Sequence, residues 1–179
     1  MNRSPPARSS HWVTWAVFIA LLLFAILFVT GTASDLPPMV ASHFDAAGRP
    51  NAFMNRGGYI RFMLCLCVGL PLLIVGVLML VYSRARELKL PNRDYWMAPQ
   101  RIERTRSFLM AHGVWMGSLL VVLSCFVHRL ELGANRQQPP HLSSQTFAAC
   151  MIVFLIAMAA WIAVLMFAFR RTPEDRHSS

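Results

Sequence analysis

Long apolar runs separated by short polar segments set the pattern of this chain. Four runs stand out: Trp12 to Gly31, Phe62 to Tyr82, Ser107 to Val127 and Thr146 to Phe169. Each is close to the ~20 residues that a helix needs to cross ~30 Å of hydrocarbon. None contains Asp, Glu, Lys or Arg. The runs lack period-two alternation, and a spanning barrel needs many more strands, so they do not read as strands. The pattern predicts an all-α integral membrane four-helix bundle with spans at about 12–31, 60–82, 107–127 and 146–169 in a single domain, 12–169. The remainder then divides into a disordered N-terminus (1–11), an outer loop (32–58), a middle loop (83–106), a second outer loop (128–145) and a tail (170–179).

Composition agrees with the pattern. Of the 179 residues, 56% are hydrophobic and only 14% charged, with mean hydropathy +0.47. An ordinary soluble domain is about a quarter charged. The placement of the formal +9 charge adds orientation. Arg3 and Arg8 precede the first span; Arg84, Arg86, Lys89, Arg93, Arg101, Arg104 and Arg106 fill the middle loop; Arg170, Arg171 and Arg176 follow the last span. The other side holds fewer: Arg49, Arg56, Arg61, Arg129 and Arg136. The positive-inside rule places both termini and the middle loop in the cytoplasm. Basic residues that flank spans serve topology and anionic lipid rather than nucleic acid. The first run is longer than the ~7–15 apolar residues of a cleaved signal peptide, so an uncleaved signal-anchor is expected, although Gly31 and Ala33 would suit a cleavage site.

Lipid tails are as apolar as leucine, so close approach of backbones at small residues does much of the work of helix association. Gly113-x-x-x-Gly117 in the third span and Ala159-x-x-x-Ala163 in the fourth are the predicted packing positions. Pro71 removes a backbone donor in mid-span and predicts a bend. In the middle loop, Pro91 stops the second helix near Leu88 and Pro99 suits the first position of the next. Tyr95 and Trp96 fit the headgroup level. His112 lies inside the third span, with either a packing role or proton and ligand chemistry open to it.

Candidate chemistry is sparse. There is no Walker loop, no H-E-x-x-H, no nucleophile–base spacing and no acid pair within a span, so no catalytic residue is assigned. His11, His112, His43, His128 and His141 offer no two ligands well inside different spans, so no haem, metal or other cofactor is expected. Cys65, Cys67, Cys125 and Cys150 share the outer half of the spans. A disulfide or soft-metal role is open to them, but Cys65 and Cys67 point apart on a helix, and buried cysteine usually behaves as a small hydrophobe.

The polar segment Ser42–Phe53 reads as an ordered loop. Leu36-Pro37-Pro38 is stiff, and Asp45-Ala46-Ala47-Gly48 carries Asp first and Gly fourth, as in a type I turn. Leu36, Met39, Val40, Phe44 and Phe53 are apolar anchors, of which Phe44 and Phe53 can fold back onto the ends of the helices. The ligand-binding candidates are His43, Phe44, Asp45, Gly48, Arg49, Pro50, Phe53 and Arg56. Phe44 and Phe53 would supply affinity, and the charged and imidazole groups specificity. His43 equally suits a purely architectural hydrogen bond within the loop.

The stretch L-P-P-M-V-A-S-H-F-D-A-A-G-R-P-N-A-F-M-N-R resembles the motif of a bacterial membrane domain of unknown function, patterned L-P-x-x-I-P-x-H-F-N-x-x-G-x-P-D-x-Y-x-S-K. That domain also forms the N-terminus of SdpI-type toxin-immunity proteins. Leu36, Pro37, His43, Phe44, Gly48 and Pro50 match; Val40, Asp45, Phe53 and Arg56 are close substitutes. Ala41, Asn51 and Asn55 depart, standing where the family has Pro, Asp and Ser. The resemblance covers about a third of the chain. It implies a bacterial plasma membrane, the topology above and an outward-facing loop. Three functions follow as expectations. The first is a non-enzymatic protein that recognises a peptide, envelope protein or lipid through the outer loop. The second is a small structural subunit or scaffold of a membrane complex. The third is a transporter, redox or metal role using the outer cysteines. The bilayer is the expected partner in each, and nucleic acid in none.

Overall fold

A computed structural model describes residues 9–84 and 91–170. The expected disordered N-terminus and tail, and the end of the second helix near Leu88, fall on residues outside that range or partly so. Four helical segments are long and apolar enough to cross a membrane: Trp12–Asp35, Arg56–Ser83, Ile102–Asn135 and Ser144–Arg170.

The chain begins with α1 (Ser9–Gly31), followed by a short 3-10 turn at Ala33–Asp35. The segment between the first two membrane-length helices is not irregular. It folds into an antiparallel hairpin of β1 (Met39–Phe44) and β2 (Pro50–Asn55). Helix α2 (Arg56–Leu64) follows at once, with the Asn55 side chain accepting from the Gly58 amide at 2.7 Å as N-cap. A π turn, Cys65–Gly69, joins α2 to α3 (Leu70–Ser83). A short α4 (Arg93–Trp96) precedes the longest helix, α5 (Ile102–Asn135), and α6 (Ser144–Arg170) ends the described chain.

Two expected boundaries shift. The third helix runs to Asn135 rather than ending near Val127, so the connection between the last two helices shrinks from 128–145 to 136–143. At its other end the helix starts at Ile102, with Pro99 in the turn before it and not inside it. Ile102 and Leu109 face inward, as the polar and apolar spacing there requires.

Pro71 explains the π turn. Proline lacks an N–H and its ring crowds the preceding turn. The Leu70 amide reaches back five residues to the Cys65 carbonyl. The next carbonyl in that series, Leu66, would need an amide from residue 71, which proline lacks. The Ser124 hydroxyl of α5 donates to it instead, at 3.4 Å. The expected bend is thus a local widening whose freed carbonyl is satisfied by a neighbouring helix.

Helix α5 is the centre of the molecule. Half of its most apolar window is buried, against 6% for that of α6. It packs along α1 and α3 and reaches the π turn, β1 and α6. One continuous core links Phe18, Ala25 and Val29 of α1 with Val75, Val114 and Val121, and extends upward to Leu36 and Val40 beneath the hairpin. Gly113 and Gly117 make this possible. A Cβ on Gly117 would lie 2.3 Å from Val75 and 3.0 Å from Phe18, and one on Gly113 would lie 3.1 Å from Tyr82. Buried packing falls into two clusters, the smaller of which joins Tyr82 of α3, Leu109 of α5 and Phe169 of α6. The larger is made by α1, α2–α3 and α5, and α6 lies chiefly against α5.

Ala159 does not serve as a packing position: it is exposed, and Ala163 is only half-buried. Helix α6 is held by His112 and Trp161 instead. Their rings stack at 4.3 Å, His112 Nε2–H donates to the Trp161 carbonyl at 3.1 Å, and Trp161 Nε1–H donates to the His112 carbonyl at 3.0 Å. At the far end of α6, Asn92 and Trp96 donate to the last carbonyls, Phe169 and Arg170. Those groups have no partner within their own helix.

Candidate functional site: a clamped hairpin over a buried polar chain

The hairpin tip is built by Asp45. Its Oδ1 accepts from the amides of Ala47 at 2.9 Å and Arg49 at 2.8 Å, and the Gly48 amide donates to the Asp45 carbonyl at 2.9 Å. These bonds, led by the Arg49 amide and joined by the Arg49 guanidinium at 3.0 Å, hold the Asp45 carboxyl below its usual range. Gly48 sits at φ 78°, where a side chain is strained, and a Cβ there would lie 2.0 Å from the Leu142 carbonyl. Both conditions require glycine.

Three contacts fix the hairpin to the helices. On the edge of β1, Asn135 imitates a neighbouring strand. Its Oδ1 accepts from the Ala41 amide at 2.8 Å, and its Nδ2 donates to the Ala41 carbonyl at 2.9 Å. The same Nδ2 also donates to the Glu131 carbonyl within α5. At the tip, the Leu142 amide donates to the Gly48 carbonyl at 2.9 Å and the Ser144 hydroxyl to the Ala46 carbonyl at 2.9 Å. At the base, the Arg56 amide donates to the Pro38 carbonyl, and Arg136 pairs with Asp35 at 2.6 Å.

Pleating separates the two faces of the strands. Val40 and Met54 pair on the inner face and pack into the core. Met39 and Phe53 stand on the outer face, 57% and 52% exposed. Phe53 therefore does not fold back onto the helices, and Met39 is no anchor; Leu36 and Val40 take that part. Ser42 and Asn51 are the extra residues where the register slips. The slips put His43 beside Asn51, so that His43 Nδ1–H donates to Asn51 Oδ1 across the hairpin. Phe44 and Pro50 are half-buried and paired with each other, Arg49 is exposed, and Arg56 is half-buried as the first residue of α2.

Directly below lies a polar chain that the sequence pattern did not reveal. His128 and Glu131, three apart on α5, meet Tyr59 of α2 and Thr32 at the end of α1. Tyr59 Oη donates to Glu131 Oε2 at 2.8 Å and lies 3.0 Å from His128 Nδ1. His128 Nε2 lies 2.9 Å from Thr32 Oγ1, which donates in turn to the Phe28 carbonyl at 2.7 Å. Tyr59 and His128 are fully buried, and the edge of the imidazole contact is closed by Phe28 at 5.1 Å.

This chain has two complete sets of hydrogen bonds. In one, His128 carries both protons, giving Nε2–H to Thr32 and Nδ1–H to Tyr59, while Tyr59 donates to an ionised Glu131. In the other, a protonated Glu131 donates to Tyr59, Tyr59 donates to His128 Nδ1, and Nε2–H still serves Thr32. The two differ only by proton shifts through the Tyr59 hydroxyl. No buried donor or acceptor is orphaned in either. Buried polar networks hold their geometry when every member is satisfied.

The signal for this chain was present as spacing. His128, Glu131, Leu132 and Asn135 fall at helical intervals of three and four. The charges at Arg129, Glu131 and Arg136 made the segment read as a loop. Cys67 and Cys125 also meet, thiol to thiol, one layer below, while Cys65 and Cys150 stand apart and all four are free. Among the described residues no three His, Cys, Asp or Glu side chains are grouped to hold a metal. Comparison with protein-family models, curated proteins and solved structures gave no match.

Proposed function

We propose that the chain is a non-enzymatic integral protein of a bacterial plasma membrane that recognises an extracytoplasmic peptide or protein through its hairpin. Both termini and the segment around α4 face the cytoplasm on this reading, because the basic residues concentrate there. The observation that carries the proposal is the combination of a fixed backbone and a free apolar face. The hairpin is held at edge, tip and base, yet Met39 and Phe53 remain more than half exposed on its outer face. A recognition element fixed before binding loses little freedom on contact, and aromatic side chains are the usual anchors. His43 and Arg49 flank that face as polar selectors. The motif resemblance to the N-terminal domain of SdpI-type immunity proteins points to a membrane-active peptide as ligand.

The test is protection. Cells producing the wild-type chain, or Phe53→Ser, or His43→Ala, are challenged with membrane-active peptides at matched levels of folded protein. Protection by wild type that Phe53→Ser abolishes supports recognition. Equal survival of both, with the peptide bound to neither, overturns it.

The scaffold reading draws support from α6. Its outward face is almost wholly uncovered, and an apolar groove of about 380 Å³ lies between it and α5. It predicts a native complex far larger than one chain, and a monomer in mild detergent overturns it.

A further inference from the structure

We propose that a cavity at the opposite end of the helices binds the phosphate of an anionic phospholipid. The cavity, of about 400 Å³, lies between α4, the first two turns of α5 and the last turn of α6. Tyr95, Trp96, Phe108 and Phe169 form apolar walls, and Arg101 and Arg104 stand among them.

The donor inventory favours an anion. Trp96 Nε1–H is spent on the Phe169 carbonyl and the Thr105 hydroxyl on the Trp96 carbonyl. The acids nearby are engaged as well: Asp94 pairs with Arg93 at 3.6 Å and Glu103 with Arg106 at 3.2 Å. Arg101 is held by its guanidinium lying 3.9 Å over the Tyr95 ring and by an Nη1–H that donates to the Tyr95 carbonyl at 3.5 Å; together these orient it and leave its other N–H groups for a ligand. Arg104 is exposed and has no hydrogen-bond or ion-pair partner among the described residues. Among the described residues, two cations therefore line one cavity with no acid beside them. Guanidinium groups match phosphate oxygens with two parallel hydrogen bonds.

The walls decide which phosphate. A free phosphate ion has no use for Phe108, Ala168 and Phe169, whereas a lipid presents its glycerol and acyl chains next to the headgroup. The cavity also lies where two membrane-length helices end, beside Tyr95 and Trp96, residue types that settle at the membrane–water boundary. This inference rests on the membrane reading of the helices and not on the hairpin.

Native mass spectrometry tests it. The protein is released from mixed micelles of phosphatidylglycerol and phosphatidylcholine, and retained lipids are counted. Wild type should keep one phosphatidylglycerol in preference to phosphatidylcholine. Arg101→Gln with Arg104→Gln should reduce that preference roughly tenfold or more, the worth of a charge-assisted contact. Arg104→Gln alone removes a side chain without partners and reads the site if the double variant does not fold. Arg84→Gln, on the same side but outside the cavity, should leave retention unchanged. Equal retention of the two lipids, or equal loss in Arg84→Gln, overturns the proposal. So does displacement of the lipid by millimolar inorganic phosphate, which would mark the site as one for the free anion.

Discussion

Tyr59 Oη lies 3.0 Å from His128 Nδ1, joining α2 to α5 across 69 positions of sequence. The same hydroxyl holds Glu131 at 2.8 Å, so one oxygen ties a half-buried acid and a buried imidazole into a single unit. Removing it by Tyr59→Phe leaves the buried imidazole and the half-buried carboxylate without their shared partner. A cost of roughly 1–3 kcal/mol is expected. For a chain of this size that lowers the melting temperature by roughly 2–4 °C per kcal/mol in a detergent thermal scan. Glu131→Gln keeps a hydrogen-bonding group against Tyr59 and should cost less. A Tyr59→Phe protein that melts with wild type would show the chain to be energetically idle.

Asn135 should govern the hairpin and not the helices. Asn135→Ala removes the two bonds that complete the edge of β1. Hydrogen exchange at Ala41 and its neighbours should accelerate, while α1 and α3 keep wild-type protection. Uniform acceleration throughout the molecule would contradict a local clamp.

Gly117 should tolerate no side chain. Alanine already meets Val75 at 2.3 Å, so Gly117→Leu must push α3 and α1 away from α5. Overpacking of this kind costs roughly 1–3 kcal/mol or more. Ala159→Leu, on an exposed position of α6, should leave detergent stability unchanged. Equal effects of the two would be incompatible with the observed packing.

The bond from Ser124 to Leu66 should matter only because residue 71 is proline. Ser124→Ala orphans the Leu66 carbonyl, at a cost of roughly 1–2 kcal/mol. In a Pro71→Ala background the returned amide can serve the π turn, and Ser124→Ala should then cost measurably less. Additive costs in the double variant would separate the two residues.

The hairpin tip should loosen in acid. Asp45 ionises more readily in the folded tip than its unfolded reference of about 3.8, chiefly through the Arg49 amide. A depressed folded value means that the contribution is complete above that reference and is lost as pH falls through the folded value. The Ala47 and Arg49 amide resonances should therefore titrate together at acid pH, and in Asp45→Asn, whose amide oxygen accepts at every pH, they should not. The tip is solvent-exposed, so the effect is local.

Much of the resemblance motif becomes intelligible as hairpin construction. Asp45 closes the tip, Gly48 takes a left-handed backbone against Leu142, and Asn55 caps α2. The family pattern has Asn and Ser at the first and third of these places, residue types that fill the same structural parts. The aromatic at position 53 has no such duty, which is why it carries the recognition proposal.

Four membrane-length helices, the glycine seam on α5 and the turn at Asp45–Gly48 were all determined by the sequence alone. Each depends on local spacing: run length, a small residue every fourth position, or a turn signature within four residues. Tertiary structure decided what lies across the chain. Strand pairing of Met39–Phe44 with Pro50–Asn55 is weakly signalled, because the outer face is apolar at Met39 and Phe53 and register slips at Ser42 and Asn51 break the alternation. His128, Glu131 and Asn135 looked like solvated loop residues until Tyr59, Thr32 and Ala41 supplied their partners. A polar side chain has the same identity whether water or protein satisfies it, and only the fold brings the second partner within 3 Å.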